Sequence, residues 1–230
     1  MHVRSTSRLG DEALCLSSMI GHDPRELLSI APQERMRSLF QSLERVPMGL
    51  IFKGGPRYHE SGSRWIPKSM LWNGTGPAAL TAFSRTVLDG STAIPTEWGL
   101  ICKGPVLRFR ADIAELGLHE KGELNLSRSA IKLRYNHVDL IACVCLPDWE
   151  ENNLGQEVVV IYPPKASNLL DAQGAVAMTI IEETIIEETL VLYTKWIGQF
   201  FWSAGSSFGC VVPDHYTSYE ESESQAVCIG

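Results

Sequence analysis

Residues 175–202, AVAMTIIEETIIEETLVLYTKWIGQFFW, decide whether this chain is mainly helix or mainly strand. The repeated unit Thr-Ile-Ile-Glu-Glu, at 179–183 and again at 184–188, has a period of five. That period fits neither the 3.6-residue repeat of a helix nor the two-residue repeat of a strand. Composition arbitrates. β-branched side chains stand at 176, 179, 180, 181, 184, 185, 186, 189, 191 and 194. Each loses χ1 freedom against the preceding turn of a helix but packs well on a pleated sheet. Strands near 175–181 and 189–202 are expected, with a glutamate-rich helix as the alternative.

Working back from this segment, short β-like runs separated by turn residues occupy 98–102, 106–113, 130–135, 140–146 and 157–162. Lys103-Gly104-Pro105 would join the first two as a hairpin. The unbroken apolar runs 140–146 and 158–161 suit central strands buried on both faces. Short connections favour antiparallel pairing.

Nearer the N-terminus the pattern becomes helical. Over 11–20, Asp11 and Glu12 suit the positive end of a helix dipole, Leu14, Leu16, Met19 and Ile20 supply an apolar side, and Gly21 ends the helix. Asp23 caps a short second helix with Pro24 at its first position, and Pro32 opens a third over 32–45. There Met36, Leu39, Phe40 and Leu43 form one stripe, with Arg35, Arg37, Gln41 and Glu44 on the other sides. Pro47 stops this pattern, 48–52 reads as a short apolar strand, and Gly54-Gly55-Pro56 supplies a turn.

After Trp202 come Gly205, Ser206, Ser207 and Gly209, then the acidic run 219–224, with no Lys or Arg beyond Lys195. A loose tail is expected. The expected organisation is thus a helical segment over 1–72, a β-rich segment over 73–202 packed on it as one domain, and a flexible acidic tail over 203–230. The class is α+β: an N-terminal helical layer on a mostly antiparallel sheet or partial barrel.

A chain of 230 residues can bury about 70% of the surface its unfolded form exposes, enough for a substantial core. Hydrophobic content of 44% with 20% charged residues places it among globular proteins. A formal charge of -7 without any Lys/Arg cluster argues against nucleic acid as a partner. The six cysteines, at 15, 102, 143, 145, 210 and 228, include no CxxC pair, which points to reduced thiols and a cytoplasmic location. Arg4, Arg8 and the run 13–20 resemble a secretory leader, but Asp11, Glu12 and Ser17-Ser18 break the pattern. No apolar stretch has the roughly 20 residues of a membrane helix, so no membrane partner is expected. The sequons at Asn73 and Asn125 would matter only outside the cytosol.

Three stretches imitate chemical motifs. Gly205-Ser206-Ser207-Phe208-Gly209 matches the G-x-S-x-G nucleophile elbow, with Asp214 and His215 close behind. An elbow needs a helix after the serine and an acid and base from later strands, for which little chain remains, so the match is superficial and a Gly/Ser-rich surface loop explains it. Gly74-Thr75-Gly76-Pro77-Ala78-Ala79 satisfies G-x-G-x-x-A, but no buried strand precedes it and no βαβ alternation follows, so a proline-started helix packing Leu80 and Phe83 suffices. Cys143 and Cys145 share one face of a strand downstream of His137, yet His2, His22, His59, His119 and His215 offer no second ligand pair. Buried cysteines commonly serve as small apolar side chains. The glutamates of the repeats read as a solvated face or turn. The aromatic stripe Tyr193, Trp196, Phe200, Phe201 and Trp202 reads as core, or as a partner-binding patch if several rings prove exposed together. No catalytic residue, cofactor or metal ligand is assigned.

The words RSTSRLGDEALCLSSMIGHDPRELL, QERMRSLF, VPMGLIF and SRWIPKSML nonetheless resemble, in order, the region downstream of the signature domain in fungal heterokaryon-incompatibility (HET domain) proteins. Arg4, Thr6, Ser7, Asp11, Glu12, Ala13, Cys15 and Leu16 match one word, Glu34, Arg35 and Met36 a second, and Arg64, Trp65, Pro67 and Ser69 a third. The resemblance covers about 4–72. The signature domain itself is absent from the sequence, so its signalling activity does not carry over. The resemblance implies a non-enzymatic accessory or regulatory module, stand-alone or a fragment of a longer protein, in nonself recognition and regulated cell death. It would act through an unidentified protein partner, with oligomeric state left open. The rival expectation is a small hydrolase using Ser207 or Cys143.

Overall fold

The computed structural model describes residues 10–53, 55–71, 91–109, 127–146, 157–163, 175–203, 214 and 216–230. The fold mixes α and β, with strands predominating and the helices short. It divides into two compact units: Met1–Cys102 with Cys228–Gly230, and Lys103–Val227.

Unit 1 holds the helices. In α1 (Asp11–Met19) the two acids of the first turn sit at the positive end of the dipole as expected. Its buried side is a correction, however: Glu12, Ala13 and Ser17 face inward, while Met19 and Ile20 are exposed. Small side chains and one bonded carboxylate, rather than leucines, make that contact. Helix α2 (Arg25–Leu28) begins where Asp23 Oδ1 accepts the Arg25 N–H at 2.9 Å. A 3-10 turn at Pro32–Glu34 leads into α3 (Arg35–Ser42), which buries Met36, Leu39 and Phe40. It stops short of 45 because Leu43 turns to extended backbone.

Residues Met48–Phe52 form a buried 3-10 helix instead of the expected strand. The carbonyls of Leu50 and Ile51 are taken by an arginine described below. The short β1 (Val46–Pro47) pairs antiparallel with β2 (Thr92–Thr96), which in turn pairs with β3 (Gly99–Phe109). The hairpin turn therefore lies at Glu97-Trp98, and β3 runs unbroken through Lys103-Gly104-Pro105. Pro105 cannot donate, but its carbonyl accepts the Tyr162 N–H at 3.3 Å, so a proline is tolerated there.

Strand β3 carries on into unit 2, where the sheet also contains β4 (Ser127–Tyr135), β5 (Val138–Leu146), β6 (Val158–Ile161), β7 (Ala175–Ile186) and β8 (Thr189–Ser203). The order is β3-β6-β7-β8-β5-β4, and each of these neighbours pairs antiparallel. Residues 175–202 are thus strands, with β7 extending to Ile186. A register shift between Ile180 and Glu182 inserts one extra residue, so a bulge absorbs the odd period of the repeat. Glu187 and Glu188 close the hairpin with positive φ (47° and 65°), the handedness a two-residue hairpin turn requires. Asn136 and His137 do the same between β4 and β5 (φ 46° and 64°).

All four residues of β6 are buried, as its unbroken apolar run implies. The core around it includes Leu107, Phe109, Leu133, Tyr135, Val160 and Phe200. Residues 219–229, expected to be part of a loose tail, instead form β9 (Tyr219–Ile229), which pairs with β3 and β8. Two interactions explain the correction. The Glu221 carboxylate accepts the hydroxyls of Tyr135 (2.7 Å) and Tyr162 (2.8 Å), and the strand ends on buried Val227, Cys228 and Ile229. A strand with an acidic start and an apolar end reads as disordered only while its partners are unknown.

Candidate functional site

The words at 11–16, 34–36 and 64–69 converge within unit 1. Glu12 lies on the buried side of α1, where its carboxylate accepts the Ser69 hydroxyl at 2.8 Å, the Leu71 N–H at 2.9 Å and the Met70 N–H. Three donors fix a buried carboxylate in place. Arg35 donates to the carbonyls of Leu27 (3.0 Å) and Ile30 (3.1 Å), tying α3 to α2. Trp65 is fully buried, meets Phe40 edge-on at 6.3 Å, and donates its indole N–H to Gly62 at 3.0 Å.

Between these words stands a residue that sequence reasoning missed. Arg57 is buried and donates to the carbonyls of Ile51 (2.8 Å), Lys53 (2.6 Å), Leu50 (3.2 Å) and Trp65. One guanidinium thereby satisfies the 3-10 helix and the Trp65 strap together. A single arginine after Gly-Gly-Pro carries no sequence signal for that role. The Glu12 carboxylate and the two terminal nitrogens of Arg57 are occupied by backbone and by Ser69, which is the arrangement of a structural clamp.

Lys53 borders the clamp, and burial pulls its amine from the ordinary 10.5 down to about 8, with Glu12 opposing the shift. A lysine whose folded pKa is lowered binds fewer protons when folded than unfolded between those values, so its cost to stability is relieved as pH rises from about 8 to 10.5. Urea unfolding at pH 7.5 and 9.5 checks this: relative to Lys53→Met, the native chain gains stability at the higher pH. An equal gap at both values contradicts it.

The imitated motifs fare differently. Gly74–Ala79, Ser207 with its flanking glycines, and His215 lie outside the described residues. Asp214 is exposed. Cys143 stands in β5 opposite Ala130 and Phe201, and Cys145 opposite Arg128 and Gln199. His137 is exposed in the β4–β5 turn. Among the described residues no three His, Cys, Asp or Glu side chains are grouped to hold a metal. Burial pushes the Cys102 thiol up to about 12 and that of Cys228 up to about 11, the reverse of an activated nucleophile. The aromatic stripe supplies core: Phe200 is fully buried and Trp202 packs against it at 5.9 Å. Tyr193 and Trp196 are half-buried.

The surface of unit 2 shows one feature of another kind. Through residues 181–190 the β7–β8 hairpin is exposed, apart from the half-buried Thr184. Its tip presents Ile181 (68% exposed), Ile185 (74%), Ile186 and Leu190 beside Glu182, Glu183, Glu187 and Glu188. Ile185 stands directly across from Leu190, so the two share a face. Large contiguous apolar patches on a protein surface mark contact sites. Among the described residues no helix is long and apolar enough to cross a membrane. Comparison with known families, with curated proteins and with solved structures found no match for this chain.

Proposed function

We propose that the chain is a non-enzymatic module that works by protein contact, in the cytosol of a fungus, within a heterokaryon-incompatibility-like system. The observation that carries the contact reading is the aliphatic, acidic tip of the β7–β8 hairpin. The ordered resemblance of 4–72 supports the fungal part, and matched residues within it have packing and bonding roles: Glu12 and Ser69 bond each other, and Trp65 fills core. In this reading unit 1 is scaffold and the hairpin is what a partner touches. Nonself recognition and regulated cell death are the processes that the resemblance supplies.

The test uses the immobilised full chain in fungal cytosol. The native chain is expected to retain a defined set of proteins that Ile181→Ser/Ile185→Ser loses, with melting unchanged because both positions are exposed. Identical retention by both forms sinks the contact reading. The rival hydrolase is addressed on the same samples with a fluorophosphonate and an alkylating probe. Selective labelling of Ser207 or Cys143 would replace the contact reading with the enzymatic one.

A further inference from the structure

We infer that Tyr216 is a phosphorylation site: a protein tyrosine kinase transfers the γ-phosphoryl group of a nucleoside triphosphate to its hydroxyl, and Lys132 and Arg134 receive the phosphate. The inference goes beyond the contact reading and does not depend on it.

Of the six tyrosines, Tyr58, Tyr135 and Tyr162 are buried, Tyr193 and Tyr219 are half-buried, and Tyr216 is exposed. A kinase must reach both the hydroxyl and the chain around it, which the buried rings deny. Residues 216–218 belong to no helix or strand, and surface segments of that kind open at little cost. The side chains that hold Tyr216 are solvated as well: Arg134 is 59% exposed and Asp139 52%. Ion pairs and cation–π contacts in water are weak, so the ring lifts readily into a kinase cleft.

The surroundings of the hydroxyl favour a phosphate on it. Lys132 and Arg134 stand two residues apart on β4 and so project from one face of the sheet. The Lys132 Nζ lies 4.6 Å and the Arg134 guanidinium carbon 4.5 Å from the Tyr216 ring centroid. The Tyr216 hydroxyl accepts from Arg134 Nη2 at 2.7 Å and donates to Asp139 Oδ2 at 2.8 Å, while Arg134 Nε also donates to Asp139 Oδ1 at 2.8 Å. In the transfer the bond from the γ-phosphorus to its bridging oxygen breaks and the bond from phosphorus to Tyr216 Oη forms. The phenolic proton passes to the kinase's base, and the nucleoside diphosphate leaves. The product carries nearly two negative charges and three acceptor oxygens next to a guanidinium already in contact. Asp139 loses the proton it accepted and faces a dianion, so the fork of Arg134 turns to the phosphate, and Lys132 adds its point charge. The hydroxyls of Tyr135 and Tyr162 instead rest on the Glu221 carboxylate, where a phosphate would meet repulsion. Thr217 donates its N–H to the Lys132 carbonyl at 2.7 Å, so the phosphate would be fixed where the approach to β9 joins β4.

The experiment has two arms, both on the full chain. In the first, the folded chain is incubated with ATP in fungal cytosol containing phosphatase inhibitors, and its peptides are read by mass spectrometry. Phosphate is expected on Tyr216 and is absent from Tyr216→Phe. An unmodified Tyr216, or phosphate confined to neighbours such as Thr217 and Ser218, overturns the site. The second arm needs no kinase: phosphotyrosine is installed at 216 during synthesis of the chain, and its last ionisation is followed by phosphorus NMR. Two cations favour the dianion, so the phosphate is expected to lose its final proton at least about half a pH unit lower than in a free phosphopeptide of residues 212–222. Lys132→Gln/Arg134→Gln should abolish that difference with melting little changed, since the contacts removed are solvated. Titration identical in chain and peptide overturns the receiving role of Lys132 and Arg134, as does a difference that survives the double substitution. Neither arm involves the hairpin, so failure here leaves the contact reading to its own test.

Discussion

Arg57→Leu is expected to unfold unit 1 at urea concentrations that leave the native chain intact, a loss of about 3–5 kcal/mol. Leucine fills much of the volume but donates nothing, so the carbonyls of Leu50, Ile51, Lys53 and Trp65 are left without the guanidinium inside the protein. Each buried carbonyl without a donor costs about 1–3 kcal/mol, partly relieved where water enters the opened site. Arg57→Lys separates charge from geometry. An ammonium on a flexible stem cannot fork to carbonyls on both sides, so most of the loss should persist although the charge is kept. The measurement is the urea midpoint followed by tryptophan fluorescence. A midpoint unchanged by leucine contradicts the clamp, and full rescue by lysine shows that charge alone matters.

Phe200→Ala is expected to cost unit 2 about 3–5 kcal/mol. Phe200 is fully buried, stacks on Phe109 with ring centroids 5.9 Å apart, and touches Trp202 at the same separation. Strands on either side hold the β8 backbone, so the site has little room to collapse and the cavity term stays large. Urea unfolding together with amide exchange in β8 checks it. A loss below about 1 kcal/mol would mean that the site collapses freely and that the ring is not central to the core.

How much of this was legible in the sequence varied with where each signal resides. Residues 175–202 read correctly as strands because side-chain branching acts locally. Their five-residue period stayed opaque because a bulge belongs to the pairing of two strands and not to either one. The β7 end was placed too early for a related reason: Glu187-Glu188 lacks the Asn-Gly signature, and only closure of the hairpin holds both at positive φ. Lys103-Gly104-Pro105 has turn composition, yet β3 is paired just before it, with β2 at 99–101, and just after it, with β6 at 106–109, and runs through as strand. Met48–Phe52 reads as a strand until Arg57 is seen to take its carbonyls. The acid run of β9 lost its disordered appearance once Tyr135 and Tyr162 were found on Glu221. Of the candidate site, the glutamates and isoleucines of the repeat were visible from the start. Their exposure was not, because it depends on how far β6 extends beside β7.

The central claim is that this protein acts by being touched at the β7–β8 hairpin. The most direct measurement places a photoreactive residue at position 185 of the full chain and irradiates it in fungal cytosol. The expected result is one discrete adduct with a single protein, abolished by Glu182→Lys/Glu187→Lys/Glu188→Lys and absent when the reactive group is moved to an exposed position of unit 1, such as Met19. A ladder of unrelated adducts, or the same adduct from both positions, contradicts it.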